Sequence, residues 1–359
     1  MKTNHLGLNL ISKLALSLLL ALFFLANSSL NAQFLYPVKD KRVDSIDLLH
    51  THLKMNFKDL SKGRLNAMAE ILLIAKQDFS QLTLDLERLT VDSLFCKGRE
   101  VSFSQSMTDI NLNFVNKVKT GDTLEIEVFY QGVPRRDPGG FGGFYFNGDY
   151  AYAIGVGISS DPHPFGRTWF PAFDNFVTKG TYSFEVTTDT GFAAVCGGTL
   201  DSSIVRGETV TWYYYLHQPT PSYLISMAIS KYELLEGELN TKQGPIPYIL
   251  AAQAQDTGAL RSSFANFGKA VDAFIHYYGT YNWDRLGYHC VPFNGGAMEH
   301  ACNISYPLFA VDGSLSREDL MAHELAHSWW GNNITCRTPE DMWINEGWAS
   351  YSEKLFNEF

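Results

Sequence analysis

The sequence is poor in cysteine and in positive charge. Its 359 residues include five cysteines and no Cys-x-x-Cys pair, so we do not expect a cysteine-bound zinc. One disulfide is possible, with Cys290, Cys302 and Cys336 as the main pool. Lysine and arginine total 28 against 38 acidic residues, and the formal net charge of −10 argues against a nucleic-acid partner. An apolar fraction of 45% with 18% charged residues is typical of a globular protein.

Long apolar runs are also scarce. One occurs at the N-terminus, where Leu14–Ala26 follows Lys13 and precedes polar residues. This run is too short to cross a bilayer comfortably and is typical of a signal peptide (residues 1–32), with cleavage expected after Ala32. An uncleaved anchor is the alternative. No other segment could cross a membrane, so we expect an exported protein that is periplasmic, secreted or associated with the cell envelope.

Residues 33–235 have the pattern of short strands. Stretches such as DTLEIEVFYQG (residues 122–132) alternate apolar and polar side chains and end in turn residues. We therefore predict an N-terminal all-β domain of saddle or sandwich type. The glycine-rich DPGGFGG (residues 137–143) lacks the Lys-Ser/Thr ending of a phosphate-binding loop, and we expect an irregular loop there.

Residues 236–359 change to a mixed α+β pattern. A short apolar strand, IPYILAA (residues 246–252), precedes one amphipathic helix whose apolar stripe runs from Leu260 to Ile275. Further helices are expected from Leu320 to Trp330 and from Met342 to the end of the chain. We find no internal repeat and no low-complexity linker.

The segment from Leu320 carries a metal-site pattern, His323-Glu324-Leu325-Ala326-His327. Residues four apart share one face of a helix, so the imidazoles of His323 and His327 can reach one ion. Zinc accepts neutral imidazole, and a catalytic zinc site keeps one position open for water. Glu324 can take a proton from that water and later deliver it to a leaving amine. A chance match on a packed helix is the alternative.

A catalytic zinc site needs a third protein ligand, for which Glu346 is the candidate. Eighteen residues separate it from His327, and it lies on the next helical segment. Its neighbours Trp343 and Trp348 indicate an apolar setting, in which a carboxylate needs a partner. We expect Gly347 to allow a close approach of the two helices.

Several motifs resemble those of the gluzincin aminopeptidases, the family of aminopeptidase N and leukotriene hydrolase. The His-Glu-x-x-His pattern is followed, after eighteen residues, by Asn345-Glu346. Upstream, Gly296-Ala297-Met298-Glu299-His300 is similar to the family's Gly-Ala/Gly-Met-Glu-Asn motif. GRTWFPAFDNF (residues 166–176) and PTPSYLISMAIS (residues 219–230) also resemble family segments. The similarity runs from about residue 45 to the last residue.

The resemblance implies a fold, a cofactor and an activity. The fold would be an N-terminal β domain followed by an incomplete thermolysin-like α+β zinc-peptidase domain. One Zn²⁺ per chain would be held by His323, His327 and Glu346, with Glu324 as the general base. The implied activity is that of a zinc aminopeptidase.

The resemblance also implies how a peptide with a free N-terminus would bind. Glu299 would bind its α-amino group, because a carboxylate at a fixed distance from the metal selects a terminal amine. The backbone of Gly296 and Ala297 would align the peptide as an added strand. Met298 and His300 complete this substrate-binding turn.

Two departures from the family pattern affect these expectations. His300 replaces the usual asparagine, and a charge gained near pH 6.5 would make activity pH-sensitive. The chain ends at Phe359, where relatives continue with a tyrosine that stabilises the reaction intermediate and with a helical domain. We therefore expect a fragment of a longer protein. The alternatives to a working aminopeptidase are a catalytically incompetent fragment, a zinc-binding module, or an endopeptidase.

Overall fold

The computed structural model describes residues 40–359. The expected signal peptide, residues 1–32, lies outside the described residues. Within residues 40–359, no helix is both long and apolar enough to cross a bilayer. All five cysteines lie in this range as free thiols, so the disulfide considered among the late cysteines is not formed.

The described chain contains both strands and α-helices. The strands are β1 (Ile46–Phe57), β2 (Leu65–Ala75), β3 (Phe79–Asp85), β4 (Thr90–Cys96), β5 (Arg99–Glu100), β6 (Ser102–Gln105), β7 (Asp109–Val118), β8 (Thr123–Gly132), β9 (Gly143–Asn147), β10 (Tyr150–Ile154), β11 (Lys179–Asp189), β12 (Ala193–Cys196), β13 (Thr199–Arg206), β14 (Thr209–Pro221), β15 (Met227–Ser230), β16 (Tyr232–Thr241), β17 (Gly244–Gln253), β18 (Leu286–Val291) and β19 (Ile304–Pro307). The helices are α1 (Thr257–Ser263), α2 (Phe267–Tyr278), α3 (Glu318–Ala326) and α4 (Met342–Glu358).

The N-terminal region is built on an eight-stranded sheet of order β13-β14-β11-β1-β2-β8-β4-β5. Its neighbours pair antiparallel except β1 and β11, which are parallel. In β2 every second residue from Leu65 to Ala75 is buried, which is the period of a half-buried strand. A three-stranded sheet (β3-β7-β6) and a four-stranded sheet (β12-β15-β10-β9) complete the region. The predicted strand-rich N-terminal region is therefore confirmed.

The C-terminal region combines a four-stranded sheet, β16-β17-β18-β19, with all four α-helices of the described chain. β16 and β17 form an antiparallel hairpin, whereas β17, β18 and β19 are parallel neighbours. Helices α1 and α2 make the crossover between β17 and β18, as parallel pairing requires. Because β16 begins at Tyr232, the domain boundary expected at residues 235–236 falls inside a strand.

Two expected helices have different bounds in the structure. The stripe from Leu260 to Ile275 belongs to two helices, α1 and α2, with a break at residues 264–266. Asn266 in that break donates a hydrogen bond to Glu318 Oε2 at 2.8 Å, a tertiary contact that periodicity does not encode. The helix expected to reach Trp330 ends at Ala326, and the chain turns after His327.

The turn that carries Glu299 is fixed against the N-terminal region. Ala301 N–H donates to Leu224 O at 2.9 Å, and Asn303 Nδ2 donates to Val195 O at 3.1 Å. Met298 and Ser305 exchange two backbone hydrogen bonds of 3.0 Å. These contacts hold residues 296–300 between the N-terminal strands and β19.

Candidate metal centre and amine site

Helix α3 and the turn after it carry two histidines, and the Nδ1 atom of each is already hydrogen-bonded within the protein. His323 Nδ1 lies 2.9 Å from Glu353 Oε1, and His327 Nδ1 lies 2.9 Å from Trp330 O. Both oxygens act as acceptors, so each Nδ1 carries a proton, and in the neutral ring Nε2 keeps the lone pair that a metal would bind. This is the usual arrangement of metal-binding histidines, in which the second ring nitrogen donates to a carboxylate or carbonyl.

Helix α4 brings Glu346 to the two free nitrogens. Glu346 Oε2 lies 3.4 Å from His323 Nε2 and 3.8 Å from His327 Nε2, and the three ligand atoms lie within 4.8 Å of one another. Two atoms bound to one tetrahedral zinc at about 2.0–2.1 Å are about 3.3–3.4 Å apart. The donor set and its spacing therefore fit a zinc ion, as the sequence predicts.

The setting of Glu346 differs from the apolar one expected. Its side chain is 51% exposed, and Trp343 is 68% exposed. Trp348 is partly exposed and stacks on Trp330 with ring centroids 4.8 Å apart. Trp348, two positions away, points to another side of the helix, and Trp343, although three positions away on the same face, is itself too exposed to enclose the carboxylate. The partners of Glu346 are the two histidines.

The close approach expected at Gly347 occurs at another glycine. A Cβ atom on Gly347 would meet nothing within 4 Å, so this position does not bring the helices together. In the turn after α3, a Cβ on Gly331 would lie 2.1 Å from Asn345 Oδ1, and Gly331 has φ +126°. Gly331 therefore provides both the left-handed backbone and the space in which Asn345 packs.

Glu324 is a buried carboxylate beside these ligands. It is 5% exposed, and its Oε2 has no hydrogen-bond partner within residues 40–359. Burial raises the pKa of Glu324 to about 7; the charge of His327 opposes this shift and that of Glu299 adds to it. A carboxylate whose pKa lies near neutrality can both take up and release a proton, as a general base must.

The carboxylates around His323 favour a positive charge. Burial disfavours the charged imidazole, but the hydrogen bond with Glu346, the charge of Glu324 and the hydrogen bond with Glu353 together raise the pKa of His323 to about 9. Burial likewise opposes ionisation of Glu346, whereas its hydrogen bond with His323 lowers its pKa. The same negative charges would stabilise a divalent cation.

Glu299 lies next to the metal-ligand group. Its carboxylate, the Glu324 carboxylate and a His327 ring nitrogen lie within 4.8 Å of one another. Asn345 Nδ2 lies 3.3 Å from Glu299 Oε1, and Asn332 Nδ2 donates to Glu299 O at 2.8 Å. The structure thus places the Glu299 carboxylate close to the expected position of the metal.

Other residues of the turn have different surroundings. Gly296 and Ala297 are partly exposed, so their backbone is accessible to a peptide. Met298 is 2% exposed and packs in an apolar cluster, so its contribution is to anchor the turn.

His300 has different partners from those expected. It is 0% exposed, its Nε2 accepts from Gly155 N–H at 3.1 Å, and its Nδ1 lies 3.1 Å from Ser305 Oγ. Both ring nitrogens are therefore occupied by the protein and not available to a substrate. Burial, with a smaller effect of the nearby His289, holds the pKa of His300 well below its ordinary value, so the expected charge near pH 6.5 is wrong.

Sequence reasoning missed Glu353, Asn345 and Asn332 as parts of the site. For Glu353 a signal existed, since it follows Glu346 by seven residues, which is two helical turns on the same face. Asn332 and Asn345 reach Glu299 from residues 33 and 46 positions away, and no local pattern reports such contacts.

Parts of the chain are similar to known peptidases. Residues 264–358 match the peptidase family M1 domain. Aminopeptidase B of Rattus norvegicus is 30% identical over 190 residues, which are 52% of this chain and 28% of that protein. Leucine aminopeptidase 2 of Candida albicans is 25% identical over 343 residues, covering 89% of this chain and 49% of that protein. The crystal structure of an M1 zinc metallopeptidase from Deinococcus radiodurans has a TM-score of 0.78 at 21% identity, and the match covers 88% of this chain and 71% of that one.

The fold is similar to that of an M1 zinc metallopeptidase. Residues 264–358 are similar to the peptidase family M1 domain, so the chain is a partial match to that family. It spans less than half the length of these two curated relatives.

Proposed function

We propose that this protein is a zinc-dependent aminopeptidase that hydrolyses N-terminal residues from peptides. The main support for this proposal is that His327 belongs to two groups of neighbouring side chains. It belongs to the ligand group with His323 and Glu346, and also to a group with Glu299 and Glu324. A carboxylate this close to the metal can hold a terminal amine while the adjacent carbonyl lies at the ion.

Each residue has a separate task in this reaction. One Zn²⁺ per chain, bound by His323, His327 and Glu346, would polarise the scissile carbonyl and activate water. Glu324 takes a proton from the water and gives it to the leaving amine, since its buried carboxylate keeps one oxygen free of hydrogen-bond partners among residues 40–359. Glu299 pairs with the substrate ammonium group.

The peptide backbone would bind along the partly exposed turn. The accessible main chain of Gly296 and Ala297 is suited to pair with an extended peptide. We propose peptides with a free N-terminus as substrates and no nucleic-acid partner, in agreement with the net charge of −10. We also propose that the protein is exported, on the basis of the N-terminal sequence.

The family relatives favour an aminopeptidase over a catalytically incompetent fragment or a zinc-binding module. An endopeptidase remains distinguishable by experiment, because Glu299 would then have no terminal amine to bind. Hydrolysis of N-acetylated peptides as fast as free ones would support the endopeptidase.

The proposal is tested by zinc content and hydrolysis measured on the same samples. Wild-type protein is expected to hold one zinc and to release arylamine from amino-acid arylamides. Glu346→Gln should lose zinc and activity together. Glu324→Gln should keep zinc and lose roughly 10²–10⁴-fold in turnover. Retention of full zinc and activity by Glu346→Gln would contradict the assignment.

A further inference from the structure

His300 is part of a buried hydrogen-bond network directly beside Glu299. His300 Nδ1 lies 3.1 Å from Ser305 Oγ, and the same hydroxyl lies 2.8 Å from His289 Nε2. On the other side of the ring, His300 Nε2 contacts the backbone N–H of Gly155 at 3.1 Å. The three side chains are at most 1% exposed. The network therefore joins β18, β19 and the Glu299 turn to the strand-rich region.

The proton positions in this network follow from its partners. Gly155 N–H can only donate, so His300 Nε2 must be the unprotonated nitrogen. The single proton of neutral His300 is then on Nδ1 and is donated to Ser305 Oγ. Ser305 has two acceptors for its own proton, His289 Nε2 at 2.8 Å and Ala153 O at 3.4 Å. A charged His300, protonated on both nitrogens, would break the contact with Gly155.

The backbone at Gly155 is shaped for this contact. A Cβ atom there would lie 1.7 Å from Tyr223 O and 3.2 Å from His300 Nε2. Only a glycine lets this N–H group approach the imidazole. The contact joins residues 145 positions apart, so it fixes the turn against a part of the chain that is remote in sequence.

The Glu299 carboxylate itself has little direct support. Among the described residues, its oxygen Oε1 has one hydrogen-bond partner, the Asn345 amide at 3.3 Å, which is a long distance for a hydrogen bond. Its position therefore depends on the backbone of its neighbours. His300 on one side is held by the network, and Met298 on the other side pairs with the backbone of Ser305.

We propose that His300 is a positioning residue for Glu299, acting through the His289–Ser305–His300 network. The neutral imidazole fixes the turn so that the Glu299 carboxylate lies at the distance from the metal ligands that suits a substrate ammonium group. This role rests on the proposed aminopeptidase function. It departs from the expectation that His300 itself contacts substrate.

The positioning role makes a specific kinetic prediction. The Glu299–ammonium contact is present both when substrate binds and in the transition state, so weakening it raises KM and leaves kcat nearly unchanged. Ser305→Ala removes the hydroxyl that holds His300, and His300→Ala removes the ring. With an amino-acid arylamide we expect KM to rise about tenfold in each variant, with kcat and zinc content within about twofold of wild type.

Ser263→Ala is the matched control. Ser263 is 5% exposed, and its hydroxyl accepts the Gly313 N–H at 3.1 Å, away from the Glu299 turn. This control should leave KM unchanged. An unchanged KM in Ser305→Ala and His300→Ala would overturn the positioning role. A joint fall of kcat and zinc content would also overturn it, because that result indicates general damage to the fold.

A second measurement needs neither turnover nor a destabilised variant. In ¹⁵N-histidine-labelled wild-type protein, His300 should be neutral with its proton on Nδ1 from pH 5 to pH 8. The signal is assigned by its loss in His300→Asn. An Nε2–H tautomer would overturn the network whatever the activity. Failure of the wild-type protein to hydrolyse any arylamide would instead contradict the proposed function.

Discussion

At the scale of single residues, four carboxylates surround two histidines and have different surroundings. Glu346 is half exposed and faces both Nε2 atoms, whereas Glu324 is buried with an unpartnered oxygen. Glu353 contacts the far side of His323, and the Asn345 amide lies 3.3 Å from Glu299. In the proposed reaction, position relative to the two imidazoles would separate a ligand, a base, an orienting group and an amine receptor.

Glu353 orients His323 and should affect zinc affinity. Glu353→Gln replaces the charged acceptor 2.9 Å from His323 Nδ1 with a neutral one, which makes the imidazole a weaker ligand. We expect zinc affinity to fall by roughly 10–100-fold, measured by competition with a chelator. Glu358→Gln, an exposed position on the same helix, is the control. Equal affinities in wild type and Glu353→Gln would contradict this orienting role.

The buried histidines should make stability depend on pH. Burial lowers the pKa of His289 to about 3 and that of His300 well below its ordinary value. Below about pH 6.5 the unfolded chain takes up protons that the folded protein does not, so the free energy of unfolding falls as pH falls.

Each such histidine contributes a slope of up to about 1.4 kcal/mol per pH unit. His300→Asn should therefore reduce the pH dependence between pH 6 and pH 4 by about that amount, measured by denaturant unfolding. The same slope in both proteins would show that His300 gains a proton while folded.

At the scale of secondary-structure elements, the contact between α4 and the turn after α3 sets the site. Two glycines in this part of the chain provide a matched pair. A Cβ on Gly331 would meet Asn345 Oδ1 at 2.1 Å and would occupy a φ of +126°, while Gly347 lies inside α4 with open space around it.

Gly331→Ala should destabilise the protein by about 1–3 kcal/mol and raise KM, because it displaces Asn345 from Glu299. Gly347→Ala should be neutral or stabilising by up to about 1 kcal/mol, since alanine favours a helix. Thermal unfolding and arylamide kinetics test the pair. A larger loss in Gly347→Ala would contradict the packing described.

The sequence could predict the parts of the site that depend on local signals within one secondary-structure element or one motif. His323, His327 and Glu346 follow from helical periodicity and a spaced motif, which are local signals. The environment of Glu346 was predicted wrongly because its neighbours Trp343 and Trp348 are themselves exposed, and a sequence pattern does not report that exposure. The partners of His300 could not be predicted, since Gly155 contacts it only after two regions of the chain have packed.

At the scale of the whole molecule, the expected zinc would link α3 to α4. Two ligands come from α3 and its cap and the third from α4, so metal binding stabilises this contact. At a free zinc concentration 100 times the Kd, the gain is about 2.7 kcal/mol. Removal of zinc by a chelator should therefore lower Tm by several degrees, and Zn²⁺ but not Mg²⁺ should restore it. A Tm unaffected by the chelator would contradict a metal shared by the two helices.

The most direct test of the central claim compares one arylamide with and without a free amine. Zinc-loaded wild-type protein should hydrolyse leucine arylamide and leave N-acetyl-leucine arylamide intact, and Glu299→Gln should lose most of its activity on the free-amine substrate with its zinc retained. Equal hydrolysis of both substrates, or full activity in Glu299→Gln, would contradict an aminopeptidase in which Glu299 binds the terminal amine while the scissile carbonyl lies at the metal.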